Sequence, residues 1–472
     1  MRDPSALAST SSQQDTEQAL FEVRKRIHPR AVSGWFAGWR WALVWITQLV
    51  FYGIPWLSWG GRPAVLFALE DRRFFIFGLV FYPQDFIYLT GLLIISALSL
   101  FLFTAVAGRL WCGYACPQTV YTEMFMWIER TIEGDRNARI KLDRSPWDAQ
   151  KVLKRGSRHL AWIVVALWTG VTFVGYFTPI RTLLGEIITV SLGPWELFWV
   201  LFYSFATWGN AGFMREQVCK YMCPYARFQS AMFDRDTLII TYDAARGEPR
   251  GSRSRKADPQ ALGLGSCIDC GICVEVCPTG IDIRKGLQYE CIGCAACIDG
   301  CNQVMDRMNY PRGLIRYTTT RALESGLDRA AVWKRVARPR VLVYTVILAV
   351  ITVSVGITLA LRTPFKADII RDRMLSRIVE DGMIENSFGL QISNSTESQR
   401  RFRVSVSGID GIALAGNTEF EVGSTAVRRV PLSVRLEPGL GQPGSNPIRF
   451  EIEATDLPGQ VVVTRSTFFV PR

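Results

Sequence analysis

Histidine is nearly missing from this sequence: His28 and His159 are the only two in 472 residues. Two haems held by paired histidines would need four, so a dihaem membrane cytochrome is excluded. Cysteine is absent from both ends of the chain. All twelve lie between residues 112 and 301, each within a short spacing of metal or redox type. None remains for a structural disulfide, which places those segments in a reducing compartment. A cleavable signal peptide is not expected, since the first apolar run starts late and no small-residue cleavage site follows. Net charge is +12, but it is gathered in particular loops. That pattern reads as membrane topology and not as nucleic-acid binding.

What is present is apolar surface. Hydrophobic residues make up 49% of the chain, with 15 Trp and 27 Phe, as expected of an integral membrane protein. Segments near the roughly 20 residues that cross a bilayer lie at 37–58, 86–107, 160–179, 194–212 and 341–361. Trp35, Trp39, Trp56, Trp59, Trp111 and Trp195 gather at their ends like an interfacial belt. A weaker candidate at 65–83 is cut by Glu70, Asp71, Arg72 and Arg73 and reads as an outer loop dipping toward the membrane. Loop charge sets the orientation: Arg24, Lys25, Arg26 and Arg30 precede the first span, and residues 108–159 hold ten basic residues, whereas 180–193 has only Arg181. Five spans with the N-terminus inside put 108–159 and 213–340 in the cytoplasm and everything after 361 outside.

The expected fold class is a multi-domain membrane protein: an α-helical bundle of about five helices, an inserted ferredoxin module and a C-terminal all-β immunoglobulin-like sandwich. The divisions are a cytoplasmic tail 1–34, a four-helix membrane domain 35–243 and a basic Gly/Ser-rich linker 244–266. After these come the ferredoxin domain 267–320, a connector 321–340, the fifth helix 341–361 and the sandwich 365–472. The linker reads as mobile, solvated or touching anionic lipid, with docking of an acidic partner as the alternative. Residues 365–385 look partly helical, and beyond them period-two alternation such as Phe402-Arg-Val404-Ser-Val406 marks short antiparallel strands.

The central stretch carries the chemistry. Cys267-Ile-Asp-Cys270-Gly-Ile-Cys273-Val-Glu-Val-Cys277 and Cys291-Ile-Gly-Cys294-Ala-Ala-Cys297-Ile-Asp-Gly-Cys301 each have the C-x2-C-x2-C-x3-C spacing that wraps a [4Fe–4S] cluster. In such runs the fourth cysteine ligates the other cluster. Cys267, Cys270, Cys273 and Cys301 are therefore expected to hold one cluster, and Cys291, Cys294, Cys297 and Cys277 the second. Zinc sites place two Cys-x2-Cys pairs far apart instead. Asn302 stands where proline is usual, which affects the turn and not the ligand.

Beyond the second and fourth apolar segments stand Cys112-Gly-Tyr114-Ala-Cys116-Pro117 and Cys219-Lys-Tyr221-Met222-Cys223-Pro224, one motif used twice. Proline suits the first turn of a helix, so Cys116 and Cys223 are expected at helix N-termini. The helix dipole would lower their thiol pKa there, helped by Arg109, Arg215 and Lys220. Paired thiolates suit a soft ion such as Cu(I), with Met222 or Met214 as a thioether donor. A further cluster, or plain packing, are the alternatives. His159 reads as an interfacial residue.

With Gly108-Arg-Leu-Trp-Cys-Gly-Tyr-Ala-Cys-Pro-Gln118, Arg215-Glu-Gln-Val-Cys-Lys-Tyr-Met-Cys-Pro-Tyr-Ala-Arg-Phe-Gln229 and the double ferredoxin run in this order, the chain resembles the CcoG/FixG/RdxA family of cytochrome c oxidase accessory proteins. The resemblance implies a multi-pass protein of the bacterial inner membrane, with a cytoplasmic ferredoxin and a periplasmic C-terminal domain. It implies an iron–sulfur cupric reductase that supplies Cu(I) to a haem–copper oxidase. Cys112, Cys116, Cys219 and Cys223 would then be the catalytic, copper-handling residues. Implied partners are a cytoplasmic electron donor, copper chaperones, a copper-exporting P-type ATPase and the oxidase assembly machinery, besides the lipid bilayer. Two other functions fit the same residues: an electron-transfer subunit exchanging electrons with quinone, and a non-catalytic assembly scaffold.

Overall fold

The computed structural model of the protein describes residues 26–259, 261–379, 382–457 and 459–471. Most of the expected cytoplasmic tail, with Arg24 and Lys25, lies outside the described residues. The chain forms two units, one from Met1–Thr47, Leu100–Ala166 and Phe205–Leu342, the other from Gln48–Ser99, Leu167–Ser204 and Val343–Arg472.

Among the described residues, three helices are long and apolar enough to cross a membrane: Pro83–Ala107, Ala149–Val174 and Pro339–Ala360. The other two expected spans differ. Trp35–Gly53 is 19 residues long but is diluted by Trp35, Trp39, Trp41, Trp45 and the basic Arg40. Pro194–Thr207 has 14 residues, roughly 21 Å of helix against a hydrocarbon core of about 30 Å, and then loosens into the π-helical turn Trp208–Met214.

In the second unit, residues 65–81 form a three-stranded antiparallel sheet and not a dipping loop. Its core is Leu66, Phe75, Val80 and Tyr82. The Tyr82 hydroxyl donates to the Asn394 carbonyl at 3.1 Å, and buried Asp85 pairs with Arg362 and Lys366. The sandwich consists of two four-stranded sheets, with Phe365, Phe402, Phe450, Phe468 and Leu390 almost wholly buried between them. Alternation explains this core, since every second residue of a strand faces the same way. It also corrects the helical reading of 365–385. Phe365–Ile378 is a strand paired with Ile384–Asn394, because Phe365 and Ala367 supply the same inward alternation as the later strands.

In the first unit, the helix Pro117–Glu133 packs Phe125 and Ile128 on Trp162, Ala166 and Ala211. It also carries a buried ion network. Glu129, with no exposed side-chain surface, meets Arg215 at 2.8 Å, Arg26 at 2.9 Å and Arg139 at 3.2 Å. Glu133 meets Arg158 at 2.8 Å and Arg155 at 3.2 Å. Burial alone would raise the Glu129 carboxyl, but Arg215, Arg139 and Arg26 outweigh it and hold it down at about 2. Glu133 is pushed the other way by burial, so within this network the contribution lost in acid belongs to Glu129.

A depressed carboxyl contributes stability that is present above its ordinary value and is lost as pH falls through the folded value. Wild-type protein in detergent should therefore lose thermal stability as pH drops from about 5 toward 2, and Glu129→Gln should flatten that window. At neutral pH the same substitution strands several buried guanidiniums and should cost about 3–5 kcal/mol. An unchanged melting temperature for Glu129→Gln would show that the network does not hold this unit together.

Candidate metal centre

The ferredoxin segment begins earlier than its cysteines suggest. Strand Ile239–Tyr242 pairs antiparallel with Ile315–Thr318 and closes the module from both sides. The stretch expected to be a mobile linker is instead bonded to the first cysteine loop. The Gly251 amide donates to the Cys267 carbonyl and the Cys267 amide to the Gly247 carbonyl, each at 3.3 Å. Arg253 donates to the Gly265 carbonyl at 2.6 Å and lies 5.3 Å over the Tyr310 ring. Its basic residues anchor a loop, which charge composition alone does not disclose.

Both cysteine runs adopt one backbone form. Asp269 and Gly271 in the first run have φ of 53° and 69°, and the equivalent Gly293 and Ala295 in the second have 71° and 60°. Left-handed backbone is cheap for glycine and costs other residues about 1–2 kcal/mol, so its recurrence at Asp269 and Ala295 marks a shape imposed by the site. Cys267, Cys270, Cys273 and Cys301 line one cavity. Cys277, Cys291, Cys294 and Cys297 line a second, with Cys273 at its edge. The last cysteine of each run thus reaches the cavity of the other. Burial, then neighbouring thiolates, push Cys301 and Cys291 up to about 12 and Cys297 well above its ordinary value. Such thiols release their protons when a cation takes their place. No three His, Cys, Asp or Glu side chains among the described residues are placed to hold a single metal ion. Four thiols spread around a cavity fit the larger iron–sulfur cube, and the donor chemistry agrees.

The two C-x-Y-x-C-P motifs are built alike. Cys112 lies in the short helix Leu110–Tyr114 and Cys219 in the π-turn Val218–Met222. Cys116 and Cys223 are the N-caps of Pro117–Glu133 and Pro224–Ala231, with proline at the first helical position. The structure brings the pairs together: the thiols of Cys112, Cys116, Cys219 and Cys223 lie within electrostatic reach of one another. The Cys112 thiol donates to Gln229 at 3.1 Å, and Gln229 is fully buried.

Three expectations for these pairs are corrected. Three of the thiols are not poised as thiolates, because burial raises Cys112 to about 12 and Cys219 to about 11, and Cys116 also rises. Desolvation of a buried thiolate exceeds what one helix end returns. Arg215 adds little positive potential, since Glu129 neutralises it. Met222 is 55% exposed, which does not fit a donor enclosed in a buried site.

The motifs also touch the second cluster cavity, a relation no spacing reveals. Cys112 and Cys219 pack against the core formed by Val276, Ile292, Cys294 and Ala296. A Cβ on Gly113 would stand 2.8 Å from the Gly293 carbonyl and 2.9 Å from the Cys294 Cα, so glycine alone permits this approach. Buried Arg109 donates to the Tyr289, Cys291 and Ala226 carbonyls. Tyr114 and Tyr317 share a hydrogen bond beside Cys294, and Tyr317 donates to the Gly293 carbonyl. Buried Arg40 lies within the field of Cys294. Gly113 sits inside the first copy of the repeated motif, the one sequence signal that could have singled it out, and Arg109 stands three residues before Cys112. His28 bonds Asp143 at 2.8 Å, and His159 stacks on Phe213.

Comparison with known proteins agrees with this geometry. Residues 89–133 match a 4Fe-4S binding domain, 214–320 a 4Fe-4S dicluster domain and 355–471 the IG-like fold at the C-terminus of FixG. The chain is 42% identical over 406 residues to Protein RdxA of Cereibacter sphaeroides, covering 84% of this chain and 85% of that protein. It is 37% identical to Nitrogen fixation protein FixG of Rhizobium meliloti, over 83% of this chain and 80% of that one. More distantly, it is 22% identical to Ferredoxin-type protein NapH of Haemophilus influenzae, over 45% of this chain and 66% of that one. The chain belongs to the FixG/RdxA family and is an iron–sulfur electron-transfer oxidoreductase.

Proposed function

We propose that the protein is a membrane-bound cupric reductase, converting Cu(II) to Cu(I) for the assembly of a haem–copper cytochrome c oxidase. The observation that supports this reading is the packing of the Cys112 and Cys219 pairs against the Cys294 loop. It gives electrons a short, water-poor way from the ferredoxin module to a cysteine group of softer chemistry. In the proposal, Cys267, Cys270, Cys273 and Cys301 hold one [4Fe–4S] cluster, and Cys277, Cys291, Cys294 and Cys297 hold the other. When bound, each exchanges one electron, which matches the one-electron reduction of Cu(II). The reaction is balanced by one electron per copper ion, with no proton consumed.

The protein's own residues supply the path. Gly113 and Gly293 let two backbone segments meet, and the surrounding Ile292, Val276 and Ala296 exclude water. Arg109 and Arg40 offset negative charge on the buried thiolates. The proposed topology keeps five membrane crossings, with the ferredoxin cytoplasmic and the sandwich periplasmic. A cytoplasmic donor would load the ferredoxin, and copper chaperones, a copper-exporting P-type ATPase and oxidase assembly factors would handle the ion. A second reading is an electron-transfer subunit that exchanges electrons with quinone; likeness to a ferredoxin-type protein supports its electron-transfer part.

Anaerobic protein reduced with dithionite and freed of excess reductant should be reoxidised by Cu(II), with one Cu(I) formed per electron released. Reoxidation by a soluble quinone analogue but not by Cu(II) would favour the second reading. Gly113→Val should slow the copper-driven phase by at least about tenfold, roughly 1.4 kcal/mol in barrier, while leaving cluster absorbance intact. An unchanged rate in that variant would remove the Gly113–Gly293 contact from the path.

A further inference from the structure

We propose that the arginine-lined cleft of the first unit, walled by Trp41 and Trp127, binds a phosphate-bearing anion, the headgroup of an anionic phospholipid. Arg40, Arg130 and Arg139 line this cleft, with Val276 and Pro278 of the ferredoxin loops at its far side.

The first observation is buried positive charge without acceptors. Arg40 is 7% exposed, and its Nε has no hydrogen-bond partner among the described residues. Arg139 is 2% exposed and bonds Glu129 and the Pro29 carbonyl, yet its Nε is likewise unpartnered. Half-buried Arg130 has no ion pair among the described residues. Glu123 is the only carboxylate of the lining, and it stands in ion-pair contact with neither Arg40 nor Arg130. Buried nitrogens of this kind call for an acceptor. The planar fork of a guanidinium matches the oxygens of a phosphate.

The second observation is space. The cleft holds a cavity of about 60 Å³, several times the roughly 10–15 Å³ that a single water needs. The third is what surrounds it. The Trp41 and Trp127 rings stand 6.5 Å apart at 73°, and Trp127 is 48% exposed. Such indoles gather at the headgroup level of a bilayer, and basic pockets beside membrane helices take anionic headgroups. A free phosphate ion offers the same oxygens but no acyl chain for the indoles to meet.

The site has a consequence for electron transfer, which rests on the cluster proposed at Cys277, Cys291, Cys294 and Cys297. Arg40 also lines a second cavity, together with Cys294, Pro278 and Thr279. One guanidinium is thereby shared between the cleft and the second cluster site. An anion on Arg40 cancels part of the positive field at Cys294, so the second cluster becomes harder to reduce. Lipid composition then tunes the ferredoxin without making or breaking a bond.

Full-length protein in nanodiscs of phosphatidylcholine alone, or mixed with phosphatidylglycerol, tests the site by native mass spectrometry. Wild type should keep phosphatidylglycerol in preference to phosphatidylcholine on release from the disc. Arg130→Gln should weaken that retention about tenfold, and Arg40→Gln at least as much. Equal retention of the two lipids by wild type, or a preference that survives both substitutions, would overturn the site. Inorganic phosphate titrated against protein in a neutral detergent separates the sources. Phosphate binding that both substitutions weaken, without any preference for phosphatidylglycerol, would overturn the lipid and leave the anion.

A redox titration followed by electron paramagnetic resonance reads the consequence. The midpoint potential of one cluster should lie lower in the phosphatidylglycerol discs, and Arg130→Gln should shrink that difference. A retained lipid with unchanged potentials would overturn the tuning and leave the site. An iron count showing no second cluster would likewise remove the tuning and not the retention. Neither readout uses copper, so failure of the cupric-reductase reading would move neither.

Discussion

The buried guanidinium of Arg109 ties this protein's redox machinery together. It stands three residues before Cys112 and donates to backbone carbonyls of the Cys291 loop and of the helix that follows Cys223. Three segments far apart in sequence thereby share one buried cation. A buried charge survives only when it is paired or fully hydrogen-bonded, so these carbonyls and the nearby thiols must stay where they are. The contact of Gly113 with Gly293 follows from that arrangement, because two backbones can meet so closely only where neither carries a side chain.

Burial sets the chemistry of the cysteines more than helix ends do. The helix N-terminus at Cys116 suggests a reactive thiolate, yet desolvation wins and its thiol rises, as do those of Cys112 and Cys219. Burial likewise raises Cys273, Cys291, Cys294, Cys297 and Cys301 in the ferredoxin loops. Sites of this kind are not nucleophiles waiting for substrate; they hold protons until a metal centre displaces them. The Glu129 network obeys the opposite balance, since several arginines surround one carboxylate and keep it charged in the interior. It fixes Arg215, four residues before Cys219, to the helix that begins after Cys116, and so it holds the two motifs together from beneath.

Much of this was legible from residue order because it is local. Cysteine spacing describes a loop that wraps a cluster within eleven residues, and alternation describes a strand without reference to its partner. Phe402, Val404 and Phe450 could be assigned inward positions from the pattern alone. Local reasoning failed where a second segment decided the outcome. Residues 365–378 became a strand because Ile384–Asn394 was available to pair. The basic stretch after Ala244 became ordered because Arg253 found Tyr310 and the Gly265 carbonyl. Helix Pro194–Thr207 is shorter than its apolar run because the backbone widens into a π-turn at Trp208, which composition does not record.

The sequence by itself determined that this protein carries two ferredoxin loops, a repeated cysteine–proline motif, long apolar helices and an alternating C-terminal domain. Each of those is a property of neighbours along the chain, set by helix and strand periods and by the short reach of a ligand loop. It took long-range packing to decide that Cys112 and Cys219 lie against the Cys294 loop and that the two motifs come together. Those relations join residues about a hundred positions apart, and they depend on burying Arg109 and Glu129 with their partners satisfied. Long-range packing of that kind leaves no periodicity to read.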